Sequence, residues 1–83
     1  MRYLLYSRIA LLADLPQENL RRGDVATVVE YYQGQKGQES GYELEFFNAI
    51  GETIAVVTVS ESQIEPLHRN EVLAVRPREC AAA

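Results

Sequence analysis

An 83-residue chain makes one domain, and a domain this small buries only about 60 to 65% of the surface it exposes unfolded. Apolar residues at 47% exclude wholesale disorder, and no apolar run approaches the roughly 20 residues needed to cross a bilayer. The net charge of -4 hides ten acids against three bases between Asp14 and Glu65, a balance that repels phosphate backbones and makes nucleic acid an unfavourable partner.

The positive charge sits at the ends, in Arg2, Arg8, Arg69, Arg76 and Arg78. Cys80 is the sole cysteine, so an intrachain disulfide is excluded and a zinc site would lack sulfur ligands. The apolar run at Met1–Tyr6 is too short for a signal peptide and Arg8 breaks it. A soluble, cytoplasmic protein is the expectation.

In chain order, the segment Tyr6–Leu12 suits either strand or short helix by composition. Strand is the choice, because three later strands leave apolar surface that a first strand must cover. Asp14 is placed to accept from the next amides along the chain, and Pro16 with Glu18 suits the start of one helical turn over 16–20, anchored by Leu15 and Leu20. Arg21-Arg22-Gly23-Asp24 reverses the chain. Val25–Tyr32 is rich in β-branched and aromatic residues and reads as a strand, with apolar groups on both faces and no inward face singled out. Gln33–Ser40 is a polar loop in which Gly34 and Gly37 supply conformational freedom.

The next strand alternates: Tyr42, Leu44 and Phe46 form an apolar row, and Glu43 and Glu45 an acidic row opposite. Asn48–Gly51 is a hairpin turn and Thr53–Ser60 the returning strand. Ser60 and Gln63 have capping-box spacing, and Pro66 restricts this end of the domain to one 3₁₀ turn and a brief last strand over 64–67. The fold class is therefore mainly β: a small five-stranded SH3-like antiparallel barrel with a short helical turn over residues 1–67, and a C-terminal extension over 68–83. Val72–Val75 is an extended segment within that extension, and its last residues are flexible.

The opening Leu20-Arg21-Arg22-Gly23-Asp24-Val25, the strand Tyr42-Glu43-Leu44-Glu45-Phe46, and Gly51-Glu52-Thr53 with Ser62-Gln63-Ile64 resemble a small bacterial family catalogued as domain of unknown function 4926. The resemblance covers residues 8–67. That family's opening commonly runs Gly-Asp-x-Gly-Thr-Val-Val; this chain carries Ala26, whose β-carbon disfavours a positive φ. The resemblance implies a fold and no activity, since fold alone does not carry function.

No Ser/His/Asp set, phosphate-cradling loop or His-x-x-x-His spacing is present. His68 lacks an evident set of companions for base or metal work, though Glu65 and Glu71 are near in sequence. Glu43 and Glu45 point the same way, as paired acids at a cation site do, but a solvated sheet face accounts for them. The expectation is a non-enzymatic protein-interaction module without cofactor or metal. Its contact residues are Tyr31, Tyr32, Glu43, Glu45, Val72 and Val75. The adjacent tyrosines face opposite sides of their strand. Two alternatives stand beside this: an antitoxin or immunity-type protein that neutralises a basic toxin or nuclease, and an RNA- or ribosome-associated barrel. The terminal segments offer a second copy of the chain as a further partner.

Overall fold

The computed structural model describes residues 2–78; the expectations for Cys80 and the flexible last residues lie outside the described residues. Five strands form one antiparallel sheet: β1 (Arg8–Leu11), β2 (Val25–Tyr32), β3 (Gly41–Phe47), β4 (Thr53–Ser60) and β5 (Ile64–Pro66), in the order β4-β3-β2-β1-β5. This is the mainly β, five-stranded arrangement expected, and β1 is the strand chosen for the N-terminal segment. Short 3₁₀ turns at Pro16–Glu18 and Glu61–Gln63 are its only helical pieces among the described residues.

The core follows from alternation. Tyr42, Leu44 and Phe46 of β3 point inward with Val59 of β4, Ala26 and Val28 of β2, Ile9 and Leu11 of β1, and Ile64 of β5. Ala26 lies in the β2 ladder opposite Ile9 and is 2% exposed. Any larger side chain there would have to displace packed neighbours.

Two irregularities change which residues face inward. Val28 pairs with Leu44 and Glu30 with Glu43, so Val29 is an extra residue in β2. This bulge shifts the phase of the strand by one, so Tyr31, not Tyr32, lies opposite the buried Tyr42. A second shift, between Phe46 and Phe47, leaves Ile54 as the extra residue in β4.

The expected cap at Asp14 is not made. The 3₁₀ turn at Pro16 begins after Leu15 with no side-chain cap, and Asp14 Oδ1 instead accepts from the Arg22 amide at 2.9 Å. Asn19 ends the turn in the left-handed region at φ 56°, which brings Leu15 and Leu20 back together as a β-bridge. The capping box at Ser60 forms, with the Gln63 side chain accepting from the Ser60 amide at 2.8 Å. In the polar loop Gly34 has a steric role rather than a conformational one: a β-carbon there would fall 2.3 Å from the Gln38 carbonyl oxygen.

Candidate functional site

Tyr42 is the polar centre of an otherwise apolar core. Fully buried, it lies in β3, with Tyr3 packed edge-on at 5.4 Å and Tyr31 tilted against it at 5.1 Å. Its hydroxyl accepts from the Arg2 amide at 2.8 Å and the Tyr3 amide at 3.0 Å, and donates to Glu61 Oε2 at 2.9 Å. One donor and two acceptor positions are thereby all used. Tyr3 in turn donates its hydroxyl to the Ile64 carbonyl at 3.3 Å. Three of the five tyrosines thus face inward, and Tyr31 is tied at its hydroxyl to Ser40 Oγ at 3.1 Å.

Tyr32 has the opposite fate. It lies on the outer face, 47% exposed, and donates to Glu43 Oε1 at 2.9 Å. Glu43 is directly across from Glu30, and Glu45 is two residues along the same strand on the same face. Like charges directly opposite in an antiparallel pair oppose folding. Glu45 accepts from the Thr53 hydroxyl, so Glu43 and Glu45 are both held by neutral hydroxyls, which orient the carboxylates without neutralising them. Phe47 and Val56 are exposed apolar groups on this face. The result is an acidic surface with an apolar margin.

The C-terminal extension supplies a second exposed surface. Residues 71–78 carry no strand pairing and cross the domain as a strap. Arg76 pairs with Asp24 through both guanidinium Nε and Nη2, Nε lying 3.1 Å from Asp24 Oδ1. Arg78 Nη2 donates to the Glu18 carbonyl at 2.8 Å. The strap is thus tied to its own body at one end, yet Val72 and Val75 are each 89% exposed and Leu73 is exposed too. Between the strap and the outer side of β1 and β2 runs a groove of about 750 Å³, walled by Ala10, Val25 and Phe47 among others. Ala10 is 5% exposed although it belongs to no part of the main core cluster.

Of the expected contact residues, the fold brings Tyr32, Glu43 and Glu45 together, sets Val72 and Val75 on the strap, and turns Tyr31 inward. Asp24, as the anchor of the strap, and Phe47, at the margin of the acidic face, were not singled out by sequence reasoning. The signal for Asp24 is the opposition in sign between the arginine-bearing tail and the acidic body, which indicates attachment without naming the pair.

Among the described residues, the donor atoms of Glu65, His68 and Glu71 lie within 4.8 Å of one another. A tight turn assembles them, with the Glu71 amide on the His68 carbonyl at 3.1 Å and Glu71 Oε1 accepting from the His68 amide at 2.6 Å. One Glu71 oxygen already serves this turn, which folds the chain from β5 into the strap and leaves the other Glu71 oxygen, the Glu65 carboxylate and the His68 ring gathered on its outer side.

The hydrogen bond to Glu43, followed by partial burial and the charges of Glu43 and Glu30, raises the Tyr32 phenol above its ordinary range. Burial, with the Glu61 carboxylate adding to it, raises that of Tyr42. A phenol raised in the folded state contributes stability that is intact below its unfolded value of about 10 and is lost as pH rises through the folded value. The thermal midpoint is therefore expected to hold to about pH 10 and to fall beyond it. Absorbance at 295 nm should show two late-titrating phenols, one removed by Tyr32→Phe and the other by Tyr42→Phe. A Tyr32→Phe chain that loses a step in the ordinary range instead would contradict this assignment.

A family model described as "Domain of unknown function (DUF4926)" matches residues 5–66. No curated protein and no solved structure matches the chain.

Proposed function

This chain belongs to the DUF4926 family, whose description assigns no activity, and on that premise we propose that it is a non-catalytic protein-interaction module that docks a basic protein partner. The observation that carries this reading is the outer face of β2 and β3, where Glu30 and Glu43 stand directly opposite each other beside Glu45. Such an arrangement costs folding stability and serves a partner that brings positive charge. The margin of Tyr32, Phe47 and Val56, with the exposed Val72, Leu73 and Val75 of the strap, supplies apolar anchors that a purely solvated face would not need. Arg76 and Arg78 are already engaged by Asp24 and by the Glu18 carbonyl, and so do not offset the charge of the acidic face.

The narrower form of this reading is neutralisation of a basic toxin or nuclease, for which an acidic face mimics a nucleic-acid substrate. A neighbouring gene for a small basic protein would favour it, and the lack of one would count against it. RNA binding is disfavoured by the same charges.

Capture of partners from the native host, identified by mass spectrometry, tests the proposal when run beside a Glu30→Lys, Glu45→Lys chain. The expected result is a basic protein bound by the native chain and released by added salt, and not recovered with the charge-reversed one. Equal recovery by both would overturn the role of the acidic face. The single change Glu30→Lys sets a lysine opposite Glu43 and is expected to stabilise the free protein by about 0.2 to 1 kcal/mol while weakening capture. Thermal unfolding and the capture assay read the two effects separately.

A further inference from the structure

The two outer strands of the sheet are unlike. β5 is three residues long and ends in Pro66, which has no amide hydrogen to offer a ladder. β4 runs for eight residues, Thr53–Ser60, with no charge, glycine or proline. Each of the other strands carries at least one charge. One edge of β4 is paired with β3 from end to end, and among the described residues its other edge makes no backbone hydrogen bond. Long outer strands are ordinarily blunted by lysine, proline or an inward-pointing charge. β4 has none of these.

We propose that β4 pairs with β4 of a second copy of this chain, antiparallel about a two-fold axis perpendicular to the sheet, so that two five-stranded sheets become one of ten strands. Three observations commit the edge to a second copy. The strand is self-complementary: an uncharged run in which six of eight residues are Thr, Val or Ile sets β-branched residues across from one another when it meets itself in reverse. The charge distribution permits this approach and penalises others. Paired β4 strands hold the Glu43 and Glu45 rows of the two copies three strand spacings apart, about 14 Å, beyond the screening length of about 8 Å at physiological salt. Contact through the outer faces would bring those rows together, and a basic partner is drawn to that face rather than to a neutral edge. The ladder would be about 27 Å long with about eight hydrogen bonds, close to the number in an ordinary interface but over a narrow area. That predicts a dimer at the weaker end of specific interfaces.

Val56 is 54% exposed and lies near the middle of the strand. In either register that keeps the faces matched, Val56 meets Val56 or Thr58 of the other copy. Lysine at both 56 and 58 therefore opposes lysine to lysine in both. Sedimentation of the full chain from about 1 µM to about 500 µM is expected to approach twice the 9.4 kDa of one chain. The Val56→Lys, Thr58→Lys variant should stay at 9.4 kDa with its circular dichroism unchanged, its dissociation constant raised at least tenfold. A Val56→Glu, Thr58→Glu variant should behave alike alone, and an equimolar mixture of the two should recover the dimer mass. A native chain that remains monomeric throughout, a lysine variant that remains dimeric, or folded variants that do not combine when mixed would each overturn the proposal. A Val72→Asp, Val75→Asp chain is expected to stay dimeric, and its dissociation would move the contact to the strap. Val56 and Thr58 lie across from Glu45 and Glu43 in the β3–β4 ladder, so partner capture is read instead with the Glu30→Lys, Glu45→Lys chain, which keeps the β4 edge intact and is expected to remain dimeric; loss of the dimer and loss of capture are thereby distinguished.

Discussion

Tyr42→Phe is expected to lower stability by about 2 to 3 kcal/mol, although it removes a single oxygen atom. The ring keeps its place, so the loss is one of hydrogen bonding alone. The Tyr42 hydroxyl serves two amides and one carboxylate. Of these, the Tyr3 amide is buried and has no route to water once its acceptor is gone, a penalty of about 1 to 3 kcal/mol. The exposed Arg2 and half-buried Glu61 regain solvent and contribute less. Tyr3 covers the core with its ring against Tyr42 and its hydroxyl on Ile64, so weakening its amide loosens the whole N-terminal segment. For a domain of this size the thermal midpoint should fall by about 10 to 20 °C. Tyr31→Phe, which gives up one bond to Ser40, is the control and should cost about 1 kcal/mol or less. Thermal unfolding that finds the two variants equal would remove Tyr42 from the centre of the fold.

Asp24→Ala is expected to act at two places and Arg76→Ala at one. Asp24 Oδ2 accepts from the Arg21 amide at 2.8 Å, closing the reversal before β2, while both of its oxygens hold Arg76. The reversal also relies on Gly23 at φ 92° and on the Leu11 amide bonded to the Asp24 carbonyl. Loss of the Asp24 side chain should therefore cost about 2 kcal/mol, roughly half from the turn and half from a paired guanidinium that is only partly buried. Arg76→Ala should lose only the second half. Both should free the strap: with about 1 kcal/mol of restraint removed, cleavage within residues 71–76 by a broad-specificity protease should speed up about fivefold. The double variant should be cut no faster than either single one. Additive cleavage rates would mean that the strap is held elsewhere.

Much of the fold was legible in the residues because its cues are local. The row Tyr42, Leu44, Phe46 can face only one way on a strand, and Asn48–Gly51, the capping box at Ser60 and the stop at Pro66 act within a few residues of themselves. The candidate surface was legible in part: Glu43 and Glu45 share a face by the period of a strand, and the exposed apolar character of Val72–Val75 follows from its place beyond the last strand. Tyr31 and Tyr32 were legible only as a pair facing opposite ways.

By itself, then, the order of residues determined the strands after Gly23, their turns and the acidic row, since period and turn chemistry need no distant neighbour; the first strand followed only from the apolar surface the others leave to be covered. Which tyrosine faces the core was decided by the tertiary structure. β2 is apolar on both sides, so the one-residue bulge at Val29 leaves no trace in its pattern and is set by pairing with β3. The structure likewise decided that Asp24 holds Arg76 across 52 positions, because side chains far apart in the chain meet only where the sheet topology puts them.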